Sequence, residues 1–344
     1  MKLDEVAAHL DRFVPAHYGA SAAVEGLQVM EAGHAGLTFG FRVVERGDAA
    51  RVQAKLVLKL SPPGVRRAGN TDVFRQAPLL RALHAAGLPV PDVPWAGADE
   101  AWFGTPFVMM AFLPGVPFFV WQPDARFDRS PQAVAPLWEQ CIDVLVRLHR
   151  FDWQRDLAAW ERPTAPHDEV TRWDRIAAKA PEPAWLDAAQ RVREALLDRL
   201  PPSPAPALVH GDYQPGNALY DGGRLVGIID WELASIGSPL LDVGWMMMLA
   251  DRLSWRPDWR PLCPLTPRAI ALRYGVEPAA MAWWQALAGY RLGAISCLNV
   301  HLHRSGRRPD AVWERFALAI PTLFGRAAAL LRDAGALNQP EAVR

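Results

Sequence analysis

Cysteine is scarce: three residues in 344, Cys141, Cys263 and Cys297, odd in number and far apart. That excludes a disulfide framework, and no CxxC or Cys/His spacing of a zinc site occurs. The expectation is a reducing, cytoplasmic setting. An excess of charge is also missing, because 37 Lys+Arg balance 37 Asp+Glu. Without a general phosphate-neutralising field, a nucleic-acid partner is not expected. Long apolar runs are absent too. No stretch approaches the roughly 18 uninterrupted residues of a membrane span. The opening MKLDEVAAHLDRFVPAHYG has scattered charges and no apolar block before a small-residue cleavage site, so neither export nor membrane insertion is expected. There is no internal repeat.

What is present describes a globular chain with 51% hydrophobic and 22% charged residues. Its length exceeds one typical domain, which favours two lobes. Residues 4–13 have Val6, Leu10 and Phe13 at helical spacing. The period then changes to two in LQVMEAG, LTFGFRVV and AKLVLKLS, the pattern of an antiparallel meander. VFRQAPLLRALHAAG reads as a helix ending at Gly87. LPVPDVPWAG leads to a strand, TPFVMMAF, that stops at the turn LPG. Beyond it the texture is helical: PLWEQCIDVLVRLHRFDW, PAWLDAAQRVREALLDRL, SPLLDVGWMMMLAD, PRAIALRYG, AAMAWWQALAGYRLGAISCLNVHLHRSG and AVWERFALAIPTLFGRAAALLRDAG. RPTAPHDEV reads as a loop, and PPSPAPA cannot be helical. The expected class is α+β, with a β-rich lobe over 1–112 and a larger helical lobe over 113–344.

Chemistry concentrates in HGDYQPGNALYDGGRLVGIIDWE, residues 210 to 232. Asn217 lies four residues before Asp221-Gly222-Gly223, a hairpin signal, and Asp230 lies seven after it, past the apolar strand LVGII. Folding that hairpin would bring Asn217 and Asp230 to one place as hard oxygen ligands, a donor set suited to Mg2+ shared with substrate phosphates. Asp212, on a loop tightened by Gly211, Pro215 and Gly216, would stand beside it as a proton acceptor. One carboxylate for an attacking hydroxyl, with an Asn and an Asp for cations, is the division of labour of kinase-type phosphoryl transfer.

HGDYQPGN followed by IIDWELASIGSPLLDVGW resembles the catalytic and metal-binding loops of the aminoglycoside phosphotransferase family, which shares the eukaryotic protein kinase fold. DWELASIG is most similar to the branch whose kinase domains are fused to acyl-CoA dehydrogenases. The resemblance implies a two-lobed kinase-like fold, with 1–112 as the nucleotide-binding lobe and 113–344 as the catalytic and acceptor-binding lobe. It implies ATP and Mg2+ as cofactors, Asp212 as catalytic base, and Asn217 and Asp230 as metal ligands. Lys59 in LVLKLS resembles the strand lysine that contacts the nucleotide phosphates. AGHAGLTFGF, with Gly33, His34 and Gly36, resembles the loop over those phosphates. FVMMAFLPG resembles the linker whose backbone, from Ala111 to Leu113, binds adenine. Asp242 resembles an Asp that braces the catalytic loop.

Two positions depart from the family pattern. Arg75-Gln76 stands where an Arg-Glu pair is usual, so the carboxylate that orients the strand lysine is an amide; either Gln76 hydrogen-bonds Lys59 or another acid such as Asp72 substitutes. His34-Ala35-Gly36 stands where a Ser-Asn pair is frequent, leaving backbone amides to cradle phosphate. Ser238 in place of a frequent Asp reads as structural. His210 reads as a buried residue holding the loop, Glu232 as either a group near the metal or an exposed carboxylate at a helix start, and Met246 to Met248 as core.

The acceptor is expected to be a small-molecule alcohol. Residues 251–344 hold seven acidic residues and thirteen arginines, a balance that disfavours a polycationic aminoglycoside and fits an apolar or anionic hydroxyl compound. The alternatives are an aminoglycoside or other antibiotic acceptor, a choline-like or amino-sugar acceptor, and, from another class, a nucleotide-binding pseudokinase scaffold suggested by Gln76. The chain is expected to act as a monomer or homodimer.

Overall fold

The computed structural model describes residues 1–30, 37–46, 51–62, 64, 69–202 and 204–337. The chain divides into two compact units. The first comprises Met1–Val116, Asp152–Glu161 and Ala218–Ala234, the second Pro117–Phe151, Arg162–Asn217 and Ser235–Arg344.

The first unit is built on a five-stranded antiparallel sheet of β1 (Ala22–Val29), β2 (Leu37–Glu45), β3 (Arg51–Leu60), β4 (Trp95–Gly97) and β5 (Phe107–Ala111), in the order β1-β2-β3-β5-β4. Alternation sorts its side chains. Phe39, Phe41 and Val43 of β2, Leu56, Leu58 and Leu60 of β3, and Phe107 and Met109 of β5 are buried in one core. Because neighbouring strand residues point to opposite faces, Lys59 faces away from that core. Helix α1 (Leu3–Tyr18) closes the core with Val6, Leu10, Phe13 and Val14. It runs beyond the 4–13 read from spacing, because Val14 continues the buried stripe and the His17 ring stacks on Phe13 at 3.9 Å. Helix α2 (Gln76–Ala85) buries Leu79, Leu80 and Leu83.

The predicted hairpin forms in this unit. Ala218–Asp221 pairs with Arg224–Ile228 around Gly222 and Gly223, both at positive φ (54° and 79°), as a primed two-residue turn demands. The strand Trp95–Gly97 was hidden in the sequence by its proline-rich approach, yet Trp95 pairs with Met109 and Gly97 with Phe107.

The second unit is mostly helical. Ala282–Arg304 is buried along most of its length, which explains its apolar residues on every face. Gly244 in the helix Leu240–Ala250 permits the close pass: a Cβ there would lie 2.5 Å from the Trp284 carbonyl oxygen. Met246, Met247 and Met248 are core residues. RPTAPHDEV is not wholly a loop; Pro166–Thr171 is helical with Pro166 in the first turn, where a missing N–H costs nothing. The short strand Ala207–Val209, immediately after the proline run, pairs antiparallel with Ser235–Gly237. That ribbon delivers the chain into His210-Gly211-Asp212. No helix among the described residues is long and apolar enough to cross a membrane.

Candidate active site

In the first unit Lys59 is the centre of an ionic cluster. It is 7% exposed, and its Nζ lies 3.0 Å from Glu232 Oε1 and 3.6 Å from Asp230 Oδ1. Burial opposes its charge, but the two carboxylates outweigh burial and hold the ammonium above its ordinary pKa. Two acids sharing one cation are not equivalent. Burial and the neighbouring Asp230 push Glu232 up.

Asp230 has φ 67° and ψ 58°, the left-handed region, and among the described residues it is the non-glycine residue with positive φ. Such a conformation costs on the order of 1–3 kcal/mol and persists only where the surroundings impose it. Its Oδ1 is buried and has no hydrogen-bond partner among the described residues, its contact to Lys59 being ionic at 3.6 Å. A carboxylate on a strained residue after the strand of a tight hairpin, meeting Lys59 at ionic and not hydrogen-bond distance, suits a cation ligand.

Lys59 takes neither partner anticipated from the sequence. Gln76 is 3% exposed and its Nε2 has no hydrogen-bond partner among the described residues. Asp72 does not pair with Lys59 either; the acids are Glu232 and Asp230. Glu232 is therefore not an exposed helix-start carboxylate, since its side chain is 13% exposed. No periodicity links positions 59 and 232; only the DWE motif, whose glutamate follows Asp230 by two residues, hinted at it. In the segment from Ala111 to Leu113, the Ala111 N–H donates to Asp92 O (2.8 Å) and the Phe112 N–H to Lys55 O (2.9 Å). Gly33, His34 and Gly36 lie outside the described residues.

The second unit holds the HGD loop. Gly211 has φ 88°, a conformation that favours glycine. Its N–H donates to Asp242 Oδ1 (2.8 Å), the His210 N–H donates to Asp242 Oδ2 (2.8 Å), and the Gly211 carbonyl accepts from Arg291 Nη2 (2.9 Å). Arg291 is itself 2% exposed, 3.4 Å from Glu169, and sandwiched by Trp173 and Trp245. His149 Nε2 also bonds Asp242, at 3.2 Å, while its Nδ1 lies 2.8 Å from the Tyr274 hydroxyl. His210, fully buried, accepts from the Asp212 N–H through Nδ1, as a residue that holds the loop should.

Against this backing the Asp212 carboxylate is oriented at both oxygens. Gln214 Nε2 donates to Oδ1 (2.8 Å) and Asn217 Nδ2 to Oδ2 (3.0 Å), with Asn217 Nδ2 also 2.8 Å from the Asp212 carbonyl. Asn217 thus uses its amide nitrogen on Asp212, and its amide oxygen is the atom suited to a hard cation. Ser238 accepts from the Leu240 N–H (3.3 Å) at the start of a helix, a structural role.

Asp242 carries two backbone donors in a buried site. Burial raises its carboxyl, but the hydrogen bond from His149, the His149 and His210 rings and the His210 amide together hold it below the ordinary carboxylate range. A depressed folded-state pKa means that its stabilisation is complete above about pH 4 and is lost as pH falls through the folded value. Asp242→Ala should therefore lower stability by about 3–5 kcal/mol at pH 7, read as a urea-midpoint shift. The difference from wild type should shrink below pH 4.

Among the described residues no cluster of three or more His, Cys, Asp or Glu forms a metal site. Mg2+ fits a different donor set, one or two protein oxygens completed by substrate phosphates and water. The Asp230 carboxylate in the first unit and the Asn217 amide oxygen in the second are each a donor of that kind.

Residues 35–290 match the phosphotransferase enzyme family. Among curated proteins the chain is 28% identical over 196 residues to acyl-CoA dehydrogenase family member 10 of Mus musculus, covering 56% of this chain and 18% of that protein. It is 30% identical over 197 residues to acyl-CoA dehydrogenase family member 11 of Gallus gallus, covering 55% of this chain and 24% of that protein. The chain thus spans about a quarter or less of the length of these two relatives. Among solved structures it is similar to aminoglycoside phosphotransferase APH(4)-Ia in complex with AMP-PNP and hygromycin B, with a TM-score of 0.60 and 18% identity over 96% of this chain and 99% of the other. It is also similar to the GDP complex of aminoglycoside 2'-phosphotransferase-IIIa, with a TM-score of 0.63 and 15% identity over 98% and 100% of the two chains. The kinase-like fold is common to all three, and with the family match over residues 35–290 this chain belongs to the phosphotransferase enzyme family.

Proposed function

We propose that the chain is an ATP- and Mg2+-dependent kinase that transfers the γ-phosphoryl group to a hydroxyl of a small molecule, with Asp212 as catalytic base. The observation that supports this most directly is the Asp212 carboxylate, held at one oxygen by Gln214 and at the other by Asn217 on a loop anchored to buried Asp242. Such a carboxylate is pre-aimed to receive a proton and needs no reorganisation to do so.

In this reading the unit with Lys59 binds nucleotide. Lys59 meets the phosphates, the Leu113 N–H meets the base, and the glycines at 33 and 36 cover the phosphate chain. Asn217 and Asp230 would hold the magnesium. When bound, the ion supplies positive charge to the phosphates being separated. Asp212 accepts the proton of the attacking hydroxyl, and the helical unit provides the acceptor pocket. Phosphoryl transfer asks for alignment and charge neutralisation above all, and the two groups of residues supply both.

The acceptor we propose is an apolar or anionic alcohol, such as a hydroxy acid or hydroxyacyl compound. The arginine excess of residues 251–344 supports it. An antibiotic acceptor is the second reading, favoured by structural neighbours that bind hygromycin B and kanamycin. The pseudokinase reading loses its main support, because Lys59 has a carboxylate partner despite Gln76.

The test is a thermal-shift titration with ATP, with and without Mg2+, followed by a phosphate-transfer screen of hydroxy acids, hydroxyacyl thioesters, apolar alcohols, kanamycin and hygromycin B. The expected result is a Mg2+-dependent shift and a phosphorylated hydroxy acid or thioester. Binding without transfer to any acceptor would favour a scaffold.

A further inference from the structure

The ammonium of Lys59 is held by an acid that is not on α2. Where the resemblance leads one to look for a glutamate, α2 begins with Gln76, buried and with its Nε2 unpartnered among the described residues. The helix instead reaches the DWE segment through the preceding residue. Arg75 donates from Nη1 to the Glu232 carbonyl (3.1 Å) and from Nη2 to the Ala234 carbonyl (2.5 Å). Arg75 is in turn fixed by an ion pair with Glu161, by the face of Trp160 4.8 Å away, and by the Trp160 Nε1–H, which donates to the Arg75 carbonyl (2.8 Å). The backbone of Glu232 is thereby clamped on one side while its carboxylate bonds Lys59 on the other.

The two acids beside Lys59 differ in kind. Glu232 is at hydrogen-bond distance, 3.0 Å; Asp230 is at 3.6 Å, an ionic contact beyond normal hydrogen-bond length. Glu232 can stay with the lysine while the Asp230 carboxylate faces elsewhere.

We infer that Glu232 is the positioning residue for Lys59, doing from the DWE turn what a carboxylate on α2 would otherwise do, with Arg75 holding it in register. The inference rests on the kinase reading for its catalytic consequence, but the pairing itself is tested without nucleotide or acceptor. The first experiment is a melting-temperature cycle with Lys59→Met, Glu232→Gln and the double variant. The losses should be non-additive, with the double variant less destabilised than the sum of the single ones, because both changes remove the same contact: Lys59→Met leaves the buried acids without their cation, and Glu232→Gln leaves Lys59 only its longer contact to Asp230. Additive losses would overturn the pairing. This result stands even if no acceptor is ever phosphorylated, an outcome that would defeat the kinase reading alone.

The second experiment measures ATP turnover. Glu232→Gln should lower kcat roughly 10²-fold, the scale of a misplaced catalytic group, with the Mg2+ concentration for half-maximal rate unchanged. Adding Gln76→Glu to that variant should recover about a tenth of the wild-type rate or more, by returning a carboxylate to the helix. A rise in the Mg2+ requirement that accounts for the lost rate would make Glu232 a metal ligand and overturn the proposal. So would the absence of any recovery in a double variant that melts at the same temperature as Glu232→Gln.

Discussion

Asp212→Asn should reduce turnover by about 10²- to 10⁴-fold, the range over which a positioned general base contributes, while ATP affinity stays close to wild type. The substitution keeps the shape of the side chain and removes its basicity. Gln214 and Asn217, which donate to the two carboxylate oxygens, would retain one good acceptor between them, and the amides of His210 and Gly211 remain anchored on Asp242. The loop should therefore fold as before. Steady-state kinetics would show the loss in kcat with KM for ATP nearly unchanged, the pattern of an interaction made in the transition state only. A parallel loss of nucleotide affinity would mean that Asp212 helps to hold the cation or the nucleotide instead.

Asp230→Asn should have an effect of comparable size on rate, about 10³-fold for the several kcal/mol that a catalytic cation contributes, and should also remove the Mg2+-dependent part of nucleotide binding. Asparagine is chosen because it tolerates the left-handed backbone that Asp230 adopts. The change is thus mainly one of charge. Lys59 keeps its shorter contact to Glu232, so the variant should fold and should still bind nucleotide weakly without metal. Calorimetric titration with ADP, with and without Mg2+, reads this directly. Wild type should bind more tightly with the metal, and the variant should bind equally in both. A variant that retained the metal-dependent gain would show that the Asp230 carboxylate serves another purpose.

Much of this arrangement was legible in the residues. Asp221-Gly222-Gly223 announced its hairpin because only glycine enters a primed turn freely, and the alternation of AKLVLKLS put Lys59 opposite Leu58 and Leu60. That Asp212 and Asn217 meet was legible because they are close along the chain and one tight turn brings them together, while the Gln214 contact to Asp212 was not foreseen. What escaped was long-range or conformational. The partner of Lys59 is 173 residues away, and the amide at position 76 directed attention to the wrong helix. The Arg75 clamp uses backbone carbonyls, which no side-chain pattern advertises. Trp95–Gly97 was concealed by prolines that precede the strand without entering it. The short helix Pro166–Thr171 lay inside the loop-like RPTAPHDEV, because Pro166 sits in the first helical turn, where proline is welcome.

In the proposed reaction Asp212 accepts the proton of a hydroxyl as that oxygen takes the γ-phosphoryl group. The most direct measurement follows label from γ-³²P ATP into the acceptor found by the transfer screen, with wild type and Asp212→Asn compared at saturating ATP and Mg2+. The account predicts a labelled phosphate ester from wild type and, from a variant that binds nucleotide equally well, label at no more than about one hundredth of that rate. Label appearing at the same rate with both proteins would contradict it.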